Sequence, residues 1–193
     1  MVFLDADLAL HRQLIARYEE SQRKYHTVQH LLECIEKLEP VLALAVNPGE
    51  VEIALWFHDA IYAVNASDNE YQSAVWARET LTRSGLAEEQ TDRICDLVLA
   101  TRHNALPATS DQQLLVDIDL AILGADEARF DEYEDQIRQE YAWVPELEFR
   151  QKRSAILDTF ITRPSIYCTP YFREALEKSA RANLRRSIER LRA

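Results

Sequence analysis

Apolar residues return every three to four positions through one long segment after another, and this period decides what the chain can become. Leu8, Leu10, Leu14, Ile15 and Tyr18 predict a helix from Leu8 to Glu20. Leu31, Leu32, Ile35, Leu38, Val41 and Leu42 predict a second over about Val28 to Ala45, with Pro40 interrupting or kinking it. Asn47-Pro48-Gly49 is a turn, and Pro48 with Glu50 and Glu52 begins a third helix, which carries His58-Asp59 at its C-terminal end. A polar loop over residues 65–70 leads into a helix from about Glu70 to Thr82, which Gly85 stops. Another runs from Ala87 to about Arg102, and a loop follows from Pro107 to Asp111.

The run Leu114 to Leu123 is too short and too apolar to classify by period alone. It is expected to be a buried helix, because nothing else in the chain offers strand partners. Ala125 to Tyr141 and Pro145 to Thr162 have the pattern of two amphipathic helices. Pro164 and Pro170 bracket a turn, and a last helix runs from Tyr171 to the end, its arginines suited to a helix C-terminus. Only three glycines and six prolines punctuate 193 residues, and no repeat, low-complexity run or linker is visible. The expectation is one all-α domain over residues 1–193.

Thirty-three acidic against 22 basic side chains give a formal net charge of −11. That field disfavours a long nucleic acid as partner, though not a single nucleotide or other small phosphate ester. Cys34, Cys95 and Cys168 are odd in number, widely spaced and without a C-x-x-C pair. Reduced thiols in the cytoplasm are therefore expected. The first seven residues have neither a basic leader nor a long apolar core, so no signal peptide is expected. No apolar window reaches the roughly 18 residues of a membrane span. The apolar helices have surface enough to bury a homodimer interface as well.

The chemistry concentrates in three places. His26 and His30 are four residues apart, so on a helix they share one face. One can ligate metal while the other reaches a substrate, or the pair can simply cap a helix start. His58-Asp59 sits in the apolar stretch Ile53-Ala54-Leu55-Trp56-Phe57, where burying both groups is costly without a strong partner such as a divalent cation. In Asp117-Ile118-Asp119-Leu120, the apolar residues on both sides make Asp119 the natural fourth ligand, with Asp117 as competitor. Two residues apart on a helix, the two carboxylates cannot point at one spot. Mixed nitrogen and oxygen donors suit Mn, Mg, Co, Ni, Fe or Zn with modest preference. Trp56, Phe57, Tyr62 and Trp76 are expected to be core, walling such a site.

The ordered set Arg23-Lys24-Tyr25-His26-Thr27-Val28-Gln29-His30, Ala54 to Tyr62 around His58-Asp59, Asp68-Asn69-Glu70 and Asp117 to Gly124 resembles the HD-domain superfamily. In particular it is similar to a bacterial branch of metal-dependent HD phosphohydrolases, over nearly the whole chain. The resemblance implies a helical bundle of the HD-domain type and a hydrolase that cleaves small phosphate esters, possible nucleotides included, with metal-activated water. The Tyr-His-x-x-x-His piece is also similar to that of cyclic-nucleotide phosphodiesterases. It implies His26 as general acid and His30 as metal ligand, with His58, Asp59 and Asp119 completing the ligands and Asp59 placed to bridge to a second ion. The chain departs from two-metal relatives in lacking a downstream His-His pair.

Glu70 is the candidate base beside the attacking water, or a first-turn helix residue. His103 is a second-metal ligand or a substrate contact, and Arg23 and Arg102 are candidates to hold phosphate. Two other functions remain open: a metal-binding sensor or regulatory module with little turnover, and an HD-fold di-iron oxygenase.

Overall fold

A computed structural model describes residues 8–193. The first seven residues, on which the signal-peptide expectation rests, lie outside the described residues. The described chain is all-α, as the periodicity predicts. It forms α1 (Leu8–Tyr18), α2 (Val28–Leu38), α3 (Pro48–Phe57), α4 (Asn69–Arg83), α5 (Glu88–Ala100), α6 (Ser110–Asp119), α7 (Glu127–Glu140), α8 (Glu146–Ile161) and α9 (Pro170–Arg192). Short 3-10 helices cover Glu39–Leu44 and Leu120–Gly124. No strand occurs among the described residues, and none of their helices is long and apolar enough to cross a membrane. The chain packs into two compact units, one ending at Ile118 and the other spanning Asp119–Ala193.

The predicted second helix is shorter than its apolar pattern. α2 stops at Leu38, and Pro40 starts a 3-10 turn instead. Proline has no N–H for the α-helical ladder, and its ring clashes with the carbonyl four residues back. α6 differs in the other direction, beginning at Ser110 inside the expected loop. Thr109 and Gln112 cap its start reciprocally. The Gln112 N–H donates to Thr109 Oγ1 (3.2 Å), while Gln112 Oε1 accepts from the N–H groups of Ala108 and Thr109 (2.8 and 3.3 Å).

In the first unit α3 packs against α2, α4 and α5. Glu50, Val51, Ile53, Ala54, Leu55 and Phe57 are all buried, so α3 is a core helix apolar on nearly every side. Its buried charge, Glu50, is held by a two-pronged contact from Arg93 (2.8 and 2.6 Å). Ahead of α3, the Asp111 carboxylate accepts from the N–H groups of Val46 (2.7 Å) and Asn47 (2.9 Å). These contacts fix where α3 starts and therefore where its far end arrives.

In the second unit α9 packs against α8 and the 3-10 segment Leu120–Gly124, with Phe130, Leu157, Tyr167, Phe172 and Leu184 at its core. Asn183 Nδ2 donates to the carbonyls of Leu123 (3.0 Å) and Ala125 (2.9 Å), on either side of Gly124. A Cβ on Gly124 would stand 2.6 Å from Leu176 Cβ and 2.9 Å from Tyr167 Oη, so only glycine permits this approach.

Candidate metal centre

The last turn of an α-helix leaves carbonyls without intrahelical donors, and at the end of α3 side chains claim them in succession. His58 Nδ1 donates to the Leu55 carbonyl (2.7 Å), and Tyr18 Oη donates to that of Trp56 (3.2 Å). The Ala60 N–H reaches Phe57 O (3.0 Å). Beyond these, the buried Arg23 guanidinium donates to the carbonyls of Asp59 (2.6 Å), Ala60 (3.1 Å) and His26 (3.1 Å). The same side chain bonds Glu20 through Nε (3.2 Å). Four of its five N–H groups thus serve the protein itself. The turn bearing His58 and Asp59 is held from both ends, and Arg23 is the strut that joins it to the segment bearing His26.

The Leu55 contact also sets the chemistry of His58. A carbonyl only accepts, so Nδ1 carries a proton, and Nε2 is the nitrogen turned to its neighbours, with a lone pair to offer when the ring is neutral. That nitrogen stands 3.1 Å from His30 Nε2 and 3.1 Å from Asp59 Oδ2, while His30 Nε2 and Asp59 Oδ2 are 3.5 Å apart. Three potential donors to a cation, brought from α2 and from the turn after α3, form one small triangle. His30 and His58 are almost wholly buried, and Asp59 is 9% exposed. Burial by itself raises the Asp59 carboxyl. The adjacent His58, then His26 and His30, outweigh it and hold Asp59 well below the usual carboxylate range.

His26 is not on the helix that carries His30. It lies in the turn before α2, because Thr27 is the N-cap, its hydroxyl accepting from the Gln29 N–H (3.3 Å). The two rings still approach to 6.0 Å between centroids. Half-buried, the His26 ring stacks on Tyr62 (4.0 Å between centroids) and meets Tyr25 edge-on (4.9 Å). Tyr62 is therefore a site wall, whereas Phe57 and Trp76 pack against each other edge-to-face (5.5 Å). The loop after Asp59 is pinned to α4, with Asn69 bracketing Ala63 (2.9 and 3.1 Å) and the Ile61 N–H donating to Ser73 Oγ (3.0 Å).

Cys34 is a neighbour that the sequence reading overlooked. On α2, four residues beyond His30, it shares that face of the helix. Its Sγ lies 3.8 Å from both ring nitrogens of His30. His30, Cys34 and His58 each bring a ligand atom within 4.8 Å of the others. The signal was the His-x-x-x-Cys spacing.

Among the remaining candidates, Glu70 occupies the first turn of α4, half-buried, and Arg102 is exposed in the turn after α5. His103 follows it with a left-handed backbone (φ 52°), a conformation that side-chain-bearing residues seldom adopt. Asp117 is fully buried on α6, and Asp119, half-buried, is the last residue of that helix. Comparison of the chain with protein-family models, with curated proteins and with solved structures finds no match.

Proposed function

We propose that this chain is a metal-dependent phosphohydrolase of the HD type, acting on a small phosphate ester, nucleotides included. The observation that supports it most is the triangle of His30 Nε2, His58 Nε2 and Asp59 Oδ2, with edges of 3.1, 3.1 and 3.5 Å. Ligand atoms about 2.1 Å from one ion lie about 3.0 Å apart at octahedral angles and about 3.4 Å apart at tetrahedral ones. The two edges at His58 fall in that range, and the third, 3.5 Å between His30 and Asp59, lies just beyond its upper end. Lone pairs this close repel one another in a buried setting unless a cation or a proton lies between them. The donors therefore fit a divalent ion among Mn, Mg, Co, Ni, Fe and Zn. Asp119 is proposed as a further ligand and Asp117 as its competitor.

When bound, such an ion supplies Lewis acidity, acidifying water and neutralising charge on phosphoryl oxygens. The protein's own groups do the rest. The Leu55 carbonyl keeps the His58 proton on Nδ1, and Arg23 keeps the His58-Asp59 turn in place. His26, held against Tyr62, protonates the leaving oxygen. Glu70 is proposed as the base, and His103 and Arg102 as substrate contacts. The three cysteines are thiols with no disulfide among them, in keeping with a cytoplasmic setting.

The test is phosphate release from a panel of nucleotides and an aryl phosphate, with Mn, Mg, Co and Ni supplied in turn. Wild type is expected to turn over, and His26→Asn to be about 100-fold slower or worse while retaining metal, the usual worth of a general acid. A wild type that binds metal and releases no phosphate would replace hydrolysis with a sensing role or with dioxygen chemistry.

A further inference from the structure

Resting on the metal reading above, we infer that Cys34 binds the same ion through its sulfur, adding a thiolate to the imidazoles of His30 and His58. A thiolate about 2.3 Å and an imidazole nitrogen about 2.1 Å from one ion stand about 3.6 Å apart at the tetrahedral angle. Cys34 Sγ is 3.8 Å from both ring nitrogens of His30 and within 4.8 Å of the ligand atom of His58, so a small turn of the His30 ring or of the thiol brings sulfur and Nε2 to one ion. The thiol is 2% exposed, so its neighbours are these groups and not solvent. It is also on the same helix as His30, so their relative placement does not depend on a flexible loop.

A thiolate changes which ion the site prefers. Two imidazoles and a carboxylate discriminate little among first-row divalent ions, whereas added sulfur favours zinc, iron and cobalt over magnesium and manganese. The thiol releases its proton on binding, so uptake of the ion is accompanied by acidification. The preference for softer ions follows from a side chain outside the ordered His, His-Asp and Asp set.

Cobalt(II) titrated into the metal-stripped full chain separates the possibilities. Bound cobalt shows weak visible d–d bands whatever its ligands, and a strong near-ultraviolet charge-transfer band only with a thiolate. Wild type is expected to show both, and the Cys95→Ser/Cys168→Ser double variant to keep both. Cys34→Ser is expected to lose the charge-transfer band while keeping its far-ultraviolet circular dichroism. Visible bands without charge transfer in wild type, or charge transfer that survives in Cys34→Ser, would overturn the role of Cys34 and leave the metal site standing. No cobalt spectrum of either kind in wild type would overturn the metal reading and this inference with it.

Discussion

Replacing Arg23 with methionine keeps most of the side-chain volume between Tyr18 and Tyr62 and removes every donor. Arg23 is 3% exposed, and its guanidinium lies 5.2 and 5.5 Å from those two rings. The substitution leaves the carbonyls of His26, Asp59 and Ala60 without their charged donor. A net loss of about 1–3 kcal/mol per orphaned buried acceptor is usual. Asp59 and His26 are near enough to solvent for water to replace part of it, so the total is about 3–5 kcal/mol and not the full sum. With a urea slope of about 2 kcal/mol per molar, the midpoint of the transition that includes the first unit falls by about 2 M. Arg23→Lys retains one mobile charge and is expected to fall between the two, because an ammonium cannot span three carbonyls. The assay is urea unfolding followed by far-ultraviolet circular dichroism. A midpoint shift equivalent to less than about 1 kcal/mol, the level of an ordinary surface substitution, would refute the assignment of Arg23 as the strut of the His-Asp turn.

Three further outcomes are expected. Gly124→Ala forces a Cβ to within 2.6 Å of Leu176 Cβ, and overpacking of this kind costs about 1–3 kcal/mol, to be read as a lowered thermal midpoint. Thr109→Ala removes half of the reciprocal cap on α6 and is expected to cost about 1 kcal/mol; an unchanged urea midpoint would show that α6 starts without it. The Glu177 carboxyl would be raised by burial, but the N–H groups of Ile166 and Tyr167 and the Arg181 guanidinium hold it below its usual value. A lowered folded pKa gives stability that is present above the unfolded value of about 4.3 and is lost as pH falls through the folded one. Glu177→Gln is therefore expected to be less stable than wild type at neutral pH, with the gap closing below about pH 4. A gap that stays constant on acidification would contradict it.

The all-α architecture was legible because helical period is a local property: α1, α7, α8 and α9 begin and end within a residue or two of where their apolar pattern does. α2 shows the limit. Its pattern continues past Pro40, but the backbone cannot, so the physics of one residue outranked the period of eighteen. α6 starts four residues ahead of the apolar run at Leu114 because Thr109-Ser110-Asp111-Gln112 is an S/T-x-x-E/Q capping box, a polar signal that the apolar period does not contain.

Within the site, the adjacency of His58 and Asp59 was legible, as was the pairing of His26 with His30 along the chain. The approach of His30 to His58 depends on α2 packing against α3, which no local pattern encodes. The role of Arg23 was hidden for a different reason. An arginine in a polar segment is expected near the surface, and its targets are backbone carbonyls, which leave no trace in residue identity. Cys34 stands four positions from His30, but a single cysteine on an apolar helix face has the same pattern as a core residue, and only the packing brings it to His58.

Binding of a divalent ion by the metal-stripped chain tests the central claim most directly. Calorimetric titration and elemental analysis would compare wild type with His30→Ala, His58→Ala and Asp59→Ala, each verified by circular dichroism as folded. The triangle predicts that wild type takes up the ion and that each folded variant loses uptake or binds far more weakly. Uptake undiminished in all three variants, or no uptake by wild type, would contradict it.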